Sequence, residues 1–215
     1  MEPALLEAEG LGLRTRRGWV FRDLDLRVGP GELLALTGPA GGGRTSALLA
    51  LGGRFRVSHG RVGGAGRTAF GLVPGVNEPE PALTVGEHVG ERLRLLGQAR
   101  PWHRRRRLAA SPALRDLPPG STPDTLVRDL SPLDRHRLMI KLALLEDPDV
   151  LLVDDIDVSL TPTETQTLLG ELDATGRAAV YTCRDTPTAA RLGRAPSTTE
   201  SDDKVPFLSS VGVGR

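Results

Sequence analysis

The sequence is poor in cysteine, in long apolar runs and in net charge, and each shortage excludes a class of protein. Cys183 is the single cysteine among the 215 residues, so an intramolecular disulfide and a cysteine-based metal cluster are both excluded. No apolar run approaches the roughly 20 residues that span a bilayer, and the first ten residues lack the charged and apolar regions of a signal peptide. We therefore expect a cytoplasmic chain, for which another chain would supply any membrane-spanning segment.

The net charge of +1 argues against wholesale nucleic-acid binding, and we expect no nucleic-acid partner. One basic run, Arg104 to Arg107, lies beside Trp102 and His103. Such a run is typical of a solvated helix face, although it is also compatible with contact to a nucleic-acid strand or to lipid head groups. The balanced charge of the whole chain favours the solvated face.

The most informative stretch is LLALTGPAGGGRTSALL, from Leu33 to Leu49, which reads as a buried strand, a run of small residues and a helix. Its central part fits the phosphate-binding pattern GxxxxGK[ST], except that Arg44 stands at the lysine position. Glycines allow successive N–H groups to approach a phosphate, and a helix starting there directs its positive end at the same anion. The residues predicted to bind the phosphate are Gly38, Pro39, Ala40, Gly41, Gly42, Gly43, Arg44, Thr45 and Ser46.

Two oxygen ligands for a magnesium ion are predicted beside this loop. The hydroxyl of Thr45 is placed to reach a phosphate-bound Mg²⁺. Asp154 and Asp155 follow the apolar strand at residues 150–153, where the first carboxylate would hold the metal and the second would orient a water. The alternative interpretation is a glycine-rich turn that binds nothing and a strand followed by an acidic turn.

Apolar periodicity divides the remaining chain into short strands and helices. Alternation from Leu5 to Val28 predicts two or three antiparallel strands. Trp19 in this region can pack at a strand edge, which we favour, or stack on a purine ring. Further elements are predicted as strands at 32–37, 70–73, 150–153 and 178–182 and as helices at 44–51, 83–96, 131–145 and 161–176.

The order of these segments resembles the ATP-binding cassette (ABC) family, the nucleotide-binding subunits of ABC transporters. The matching segments are TGPAGGGRTS, FGLVP, LTVGEHV, DLSPLDRHRLMIKLALLEDPDVLLVDD, VSL and VYTC. The resemblance implies an α/β P-loop NTPase of the ABC type, with a mixed central sheet flanked by helices, an N-terminal antiparallel β-subdomain and a small inserted helical subdomain. It implies one domain over residues 1–193, a helical subdomain at about 76–133 and a disordered tail over 194–215.

The resemblance also implies ligands and partners. The cofactors would be ATP and Mg²⁺, with Thr45 and Asp154 as metal ligands. The chain would pair with a second cassette, as a homodimer or a heterodimer. It would sit peripherally at the inner face of the cell membrane through a separate membrane-spanning subunit.

Several positions depart from the family's pattern, beginning with the groups that contact the nucleotide. Arg44 replaces the lysine that contacts the β- and γ-phosphates, and a planar guanidinium is wider than an ammonium. Gly75 replaces a glutamine that meets the magnesium. The family's LSGGQ signature binds the γ-phosphate of the nucleotide on the opposite subunit, and the resemblance therefore makes Ser131 a nucleotide-binding residue. In this segment Pro132 removes an N–H, and Asp134 brings a negative charge towards a triphosphate.

The remaining departures fall on groups that the family uses for hydrolysis. Asp155 matches the glutamate that polarises the attacking water and is one methylene shorter, so it falls about an ångström short of that reach. Thr161 replaces an aspartate, and Cys183 replaces the switch histidine. The resemblance therefore assigns catalytic positions to Asp155, Arg44 and Cys183, all of them altered.

Three functions remain open on the sequence. The first is an ATP-binding transporter subunit whose hydrolysis is weak or depends on a partner. The second is a fully active ATPase in which Arg44 and Asp155 replace the usual pair. The third is a vestigial nucleotide site in a module that docks to a membrane or regulatory partner.

Overall fold

A computed structural model describes residues 3–98, 114 and 117–184, together with the backbone of 209–213. The basic run Arg104 to Arg107 and the predicted tail up to residue 208 lie outside the described residues. In chain order the elements are β1 (Leu6–Thr15), β2 (Gly18–Val28), β3 (Leu33–Thr37), α1 (Arg44–Leu51), β4 (His59–Gly63), β5 (Thr68–Phe70), α2 (Val85–Leu95), a 3₁₀ turn (Val127–Asp129), α3 (Pro132–Leu144), β6 (Val150–Val153), α4 (Pro162–Ala174), β7 (Ala178–Cys183) and β8 (Ser209–Val213).

The N-terminal strands form an antiparallel sheet in the order β2-β1-β4. Leu6 pairs with Val28 at one end of the β1–β2 ladder, and Thr15 pairs with Gly18 at the other, across a two-residue turn. Charged residues alternate with buried apolar ones along β2, which is the pattern of a sheet with one solvated face. The predicted antiparallel strands are thus confirmed, while the pairing of β4 was not predicted because its glycine-rich sequence has no clear alternation.

The second sheet has the order β5-β6-β7-β3-β8, in which the first four strands are parallel. Every residue of β3, β6 and β7 is buried. Continuous apolar strands of this kind belong to a parallel sheet that is covered on both faces. The carboxyl ends of β3, β6 and β7 therefore meet at one edge, where the glycine-rich loop follows β3.

Two apolar clusters cover the two faces of the parallel sheet. One contains α1 and the antiparallel sheet, with Leu36, Leu48 and Leu152 at its centre. The other contains α3 and α4, with Leu151, Leu168 and Tyr181. A third cluster joins α2 to the opposite side of α3, so α3 is shared by the helical insertion and the main core.

Helix boundaries follow the capping signals in the sequence. The Thr84 hydroxyl accepts the Glu87 N–H at the start of α2, and Thr161 accepts the Glu164 N–H at the start of α4, each in a capping box. The Ser131 hydroxyl accepts the Asp134 N–H at the start of α3, with proline at the first helical position. These predicted helix starts are confirmed, and among the described residues no helix has both the length and the apolar content to cross a membrane.

Two expectations are corrected. The strand predicted at 70–73 covers Thr68–Phe70 instead, because Val73 begins a tight turn. Residues 209–213 were expected to belong to a disordered tail, but they form β8 and pair antiparallel with β3 from Leu33 to Thr37. Five apolar or small residues are enough to extend a sheet edge when an exposed ladder is available.

The buried histidine of α3 makes stability depend on pH. His136 is 3% exposed, and burial lowers its pKa to about 4, whereas an unfolded histidine has a pKa of about 6.5. The unfolded chain therefore takes up a proton as the pH falls below 6.5, while the folded chain does not. From pH 7.5 to 5.5 this histidine alone should lower the free energy of unfolding by about 1.3 kcal/mol. Urea unfolding of the wild type and His136→Leu at both pH values measures this difference, and parallel losses in the two proteins would contradict it.

Candidate functional site

The loop between β3 and α1 is shaped by glycine at two positions. Gly41 and Gly43 have φ of +76° and +83°, in the left-handed region that other residues adopt at a cost. A Cβ on Gly43 would lie 2.6 Å from the carbonyl oxygen of Val20, so β2 also leaves no room for a side chain. The N–H of Gly42 donates to the Pro39 carbonyl at 3.0 Å and closes a turn. The loop is therefore a compact backbone structure, exposed at Pro39, Ala40 and Gly41.

The helix that follows the loop has an open amino end. α1 starts after Gly43 with no side-chain cap and no acidic residue in its first turn, where Ser46 is half-buried. In contrast, α2, α3 and α4 each have a hydroxyl cap and an acidic residue in the first turn. The positive end of α1 is consequently not neutralised by its own sequence, as an anion site requires.

The predicted magnesium ligands are in direct contact. Thr45 donates its hydroxyl hydrogen bond to Asp154 Oδ2 at 2.7 Å, and Thr182 donates to Asp154 Oδ1 at 2.6 Å. Asp154 is 1% exposed, and its burial raises the pKa of the carboxyl, while the two hydroxyl hydrogen bonds act in the opposite direction. Hard oxygen donors from a hydroxyl and a carboxylate suit Mg²⁺, which completes its shell with phosphate and water.

Thr182 was not predicted as a site residue. β6 and β7 are parallel with Val153 opposite Tyr181, so the residues after this pair, Asp154 and Thr182, lie side by side. The hydroxyl of Thr182 also accepts the N–H of Asp155 at 2.7 Å. Thr182 and Asp154 are 28 positions apart in the sequence, so only the pairing of β6 with β7 could have indicated that they are in contact.

Two of the three positions predicted to be catalytic, Arg44 and Asp155, are paired with each other. Arg44 Nη2 donates to Asp155 Oδ1 at 2.9 Å, and Arg44 Nη1 donates to the Gly38 carbonyl at 2.5 Å. The Arg44 side chain is 7% exposed, and that of Asp155 is 24% exposed. The guanidinium thus lies between the Gly38 carbonyl of the loop and the Asp155 carboxylate that follows β6.

The third position assigned to catalysis lies on the other side of the sheet. Cys183 is fully buried in the apolar cluster that contains α3 and α4. Successive residues of a strand face opposite sides, and Thr182 is the one directed at Asp154. The structure therefore brings Arg44, Thr45, Asp154 and Asp155 together and places the Cys183 side chain among apolar residues.

Ser131 caps α3, away from the loop in the described contacts. It donates to Asp134 Oδ2 at 2.6 Å and accepts the Asp134 N–H at 3.1 Å. Arg137 donates to Asp134 Oδ1 at 2.9 Å and also forms hydrogen bonds with Glu171 on α4. The amino end of α3 thus already holds a carboxylate of its own chain.

Gly75 occupies a tight turn. The Val73 carbonyl accepts the N–H groups of Val76 at 3.0 Å and Asn77 at 2.8 Å, and Gly75 has φ of +72°. Proline followed by glycine at the two central positions is typical of a type II turn. The Asn77 amide, which sequence reasoning did not single out, donates to the carbonyls of Gly71 at 2.7 Å and Phe70 at 3.1 Å.

Trp19 is held by neighbours in the antiparallel sheet. Its ring lies 4.8 Å from the His59 ring between centroids, and the Arg14 guanidinium lies 5.7 Å from the Trp19 centroid. Its edge packs over Gly12. These contacts support the packing role rather than purine stacking.

This geometry is that of a P-loop nucleotide-binding fold. A buried strand leads into a glycine-rich loop and an uncapped helix, and a threonine and an aspartate are in contact beside the loop. A family model described as ABC transporter matches residues 21–158. The chain belongs to this family, which confirms the resemblance and the ABC-type fold. Within the described residues no cluster of three or more His, Cys, Asp or Glu could hold a metal.

Similar proteins include ATP-binding proteins of different transport systems. An aliphatic sulfonates import ATP-binding protein of Rhodococcus jostii is 32% identical over 150 residues, which are 70% of this chain and 59% of that protein. A cytochrome c biogenesis ATP-binding export protein of Bordetella parapertussis is 33% identical over 183 residues, covering 80% and 78%. The chain thus spans 59% of the length of the sulfonates protein.

A solved structure confirms the fold. An ATP-binding cassette solved as a dimer in a post-hydrolysis state, bound to ADP and Pi, superposes with a TM-score of 0.64 at 20% identity. The match covers 85% of this chain and 89% of that one. At that identity the likeness concerns the fold alone.

The turn at Gly75 predicts a backbone cost for the residue that the family carries there. A Cβ at Gly75 would meet nothing within 4 Å, so the cost of Gly75→Gln is conformational, about 1–2 kcal/mol of unfolding free energy. Gly75→Asn should cost less, because asparagine tolerates the left-handed region. Chemical denaturation of both variants measures the costs. Gly170→Ala, at an exposed position inside helix α4, is the control and should stabilise the protein by about 0.5–1 kcal/mol. Equal costs for glutamine and asparagine would contradict this account.

Proposed function

We propose that the chain is the ATP-binding subunit of an ABC transporter-like complex and binds Mg-ATP at the loop of residues 38–45, with hydrolysis that is weak or depends on a partner. The observation that carries the proposal is a pairing within one site. Thr45 and Asp154, the proposed magnesium ligands, are in contact, and Arg44 and Asp155, two of the positions proposed for catalysis, bind each other.

Phosphate binding rests on groups that the substitutions leave intact. Backbone N–H groups of the glycine-rich loop and the uncapped amino end of α1 provide donors and a positive potential for the phosphates. Thr45 and Asp154 would hold the magnesium ion, which neutralises phosphate charge when bound. Asp154 is kept in place by Thr182, so its carboxylate needs little rearrangement to bind a cation.

Weak hydrolysis follows from the state of Asp155. A group that orients the attacking water must lie within hydrogen-bond reach of it with a free acceptor. One oxygen of the Asp155 carboxylate accepts from Arg44 at 2.9 Å, and the side chain is a methylene shorter than glutamate. The backbone of Asp155 has φ of +44°, and its N–H is held by the Thr182 hydroxyl at 2.7 Å.

The partners belong to the same proposal. A second cassette would face the amino end of α3, where Asp134 is held by Ser131 and Arg137, so this chain offers a carboxylate where a phosphate would otherwise bind. A cassette partner with complete motifs would then provide turnover. A membrane-spanning subunit would anchor the complex at the inner face of the membrane. The similar proteins named above serve different systems, so no cargo is assigned.

A second function, a vestigial site in a docking module, is favoured by one contact. The Arg44 guanidinium binds the Gly38 carbonyl within the loop, and it would have to move for a phosphate to enter. Failure to bind nucleotide would select this alternative.

Measurement of nucleotide binding distinguishes an ATP-binding subunit from a module with a vestigial site. We expect calorimetry to detect Mg-ATP binding to the purified chain, and Thr45→Val to reduce the gain in affinity that Mg²⁺ provides, because valine keeps the shape and removes the oxygen ligand. Thr165→Val is a matched control, since Thr165 is a buried threonine in α4 whose hydroxyl donates to the Thr161 carbonyl. No heat and no thermal stabilisation at millimolar ATP in the wild type would refute binding.

Turnover tests the second half of the proposal. We expect phosphate release by the purified chain to stay far below the roughly 1–10³ s⁻¹ typical of enzymes, and Arg44→Lys alone not to restore it, because Asp155 can pair with a lysine as well. Steady-state phosphate release measures both. Robust turnover that disappears in Asp155→Asn would establish a full ATPase instead.

A further inference from the structure

Arg44 is a nearly buried cation, with its side chain 7% exposed. Its guanidinium donates to the Gly38 carbonyl at the start of the loop and to the Asp155 carboxylate at the end of β6. A buried arginine left without a carboxylate is strongly unfavourable. Asp155 therefore fixes where this positive charge lies.

The position of Asp155 is determined by its backbone. Its φ of +44° lies in a region that aspartate and asparagine tolerate better than most residues. Its N–H is held by the Thr182 hydroxyl at 2.7 Å, and the same hydroxyl donates to Asp154. The turn therefore fixes the backbone from which the Asp155 side chain starts, and the carboxylate at its end contacts Arg44 at 2.9 Å.

Phosphate and the Asp155 carboxylate are competing acceptors for one guanidinium. Both are anions that match its planar fork of donors. The Asp155 carboxylate is covalently tethered and already in contact, so a phosphate can use Arg44 only after that ion pair opens. The cost of opening reduces the affinity of the loop for any phosphate.

We propose that Asp155 is a positioning residue that sequesters Arg44, so that phosphate binding at the loop proceeds by exchange of one anion for another on this guanidinium. The inference rests on the proposed function, because it concerns regulation of the same nucleotide site. It assigns Asp155 a role in setting affinity and predicts that removing its charge tightens binding. Loss of an ordinary site residue would weaken binding instead.

The affinity of ADP without magnesium tests this role, because neither Mg²⁺ coordination nor hydrolysis then contributes. We expect Asp155→Asn to bind ADP about tenfold more tightly than the wild type, a change at the low end for close charge pairs. Asparagine suits the positive φ, so the turn is retained. The matched control is Asp147→Asn: Asp147 also has positive φ, +52°, and pairs with Arg177 at 2.7 Å, and its loss should leave ADP affinity unchanged.

The same substitution in an Arg44→Gln background separates exchange from simple repulsion. If Asp155 acts through Arg44, Asp155→Asn should change ADP affinity less than twofold once the guanidinium is absent. An equal tightening in both backgrounds would mean that Asp155 only repels the phosphate, which overturns the inference. Unchanged or weaker binding by Asp155→Asn alone also overturns it.

Failure of the proposed function has a different signature. If neither the wild type nor any variant binds ADP or Mg-ATP, nucleotide binding itself is refuted and the inference falls with it. If the wild type binds and only the predicted tightening is missing, the inference alone fails. Thermal unfolding without ligand confirms that each variant is folded before its affinity is read.

Discussion

One hydroxyl group holds the site together. Thr182 donates to the carboxylate of Asp154 and accepts the N–H of Asp155, so a single side chain at the end of β7 sets the orientation of both acidic residues at the end of β6. Thr45 then reaches Asp154, and Arg44 reaches Asp155. Loop and strands are thereby connected through neighbouring residues of α1, and a displacement of β7 relative to β6 would affect both contacts at once.

Local signals in the sequence were sufficient for much of the fold. The caps Thr84, Ser131 and Thr161 marked the helix starts because a hydroxyl followed three residues later by an acidic residue satisfies the first N–H groups locally. The loop was recognisable for the same reason, since its glycines are needed for the local backbone conformation. Segments without a local signal, such as β4 and β8, were missed because their pairing is decided by distant strands.

The contacts within the site were less predictable than its residues. Arg44, Thr45, Asp154 and Asp155 were all identified, but the ion pair between Arg44 and Asp155 joins residues 111 positions apart. Each substitution, considered separately, suggested damage to one catalytic group. Their contact changes that interpretation, because one altered side chain neutralises the other. The side of the sheet occupied by Cys183 likewise depends on strand pleating, which a motif match does not consider.

The turn at Gly75 has a mechanical consequence for the helical insertion. The Asn77 amide donates to the carbonyls of Phe70 and Gly71 at the end of β5, so the first seven residues after the strand are held against the sheet. The start of α2 is bound to the returning chain, since Val85 donates to Thr125 and Val127 donates to Leu83. The insertion is therefore tied to the sheet twice, through the Gly75 turn where the chain leaves β5 and through the apolar cluster that joins α2 to α3, so a shift of α3 would carry α2 with it.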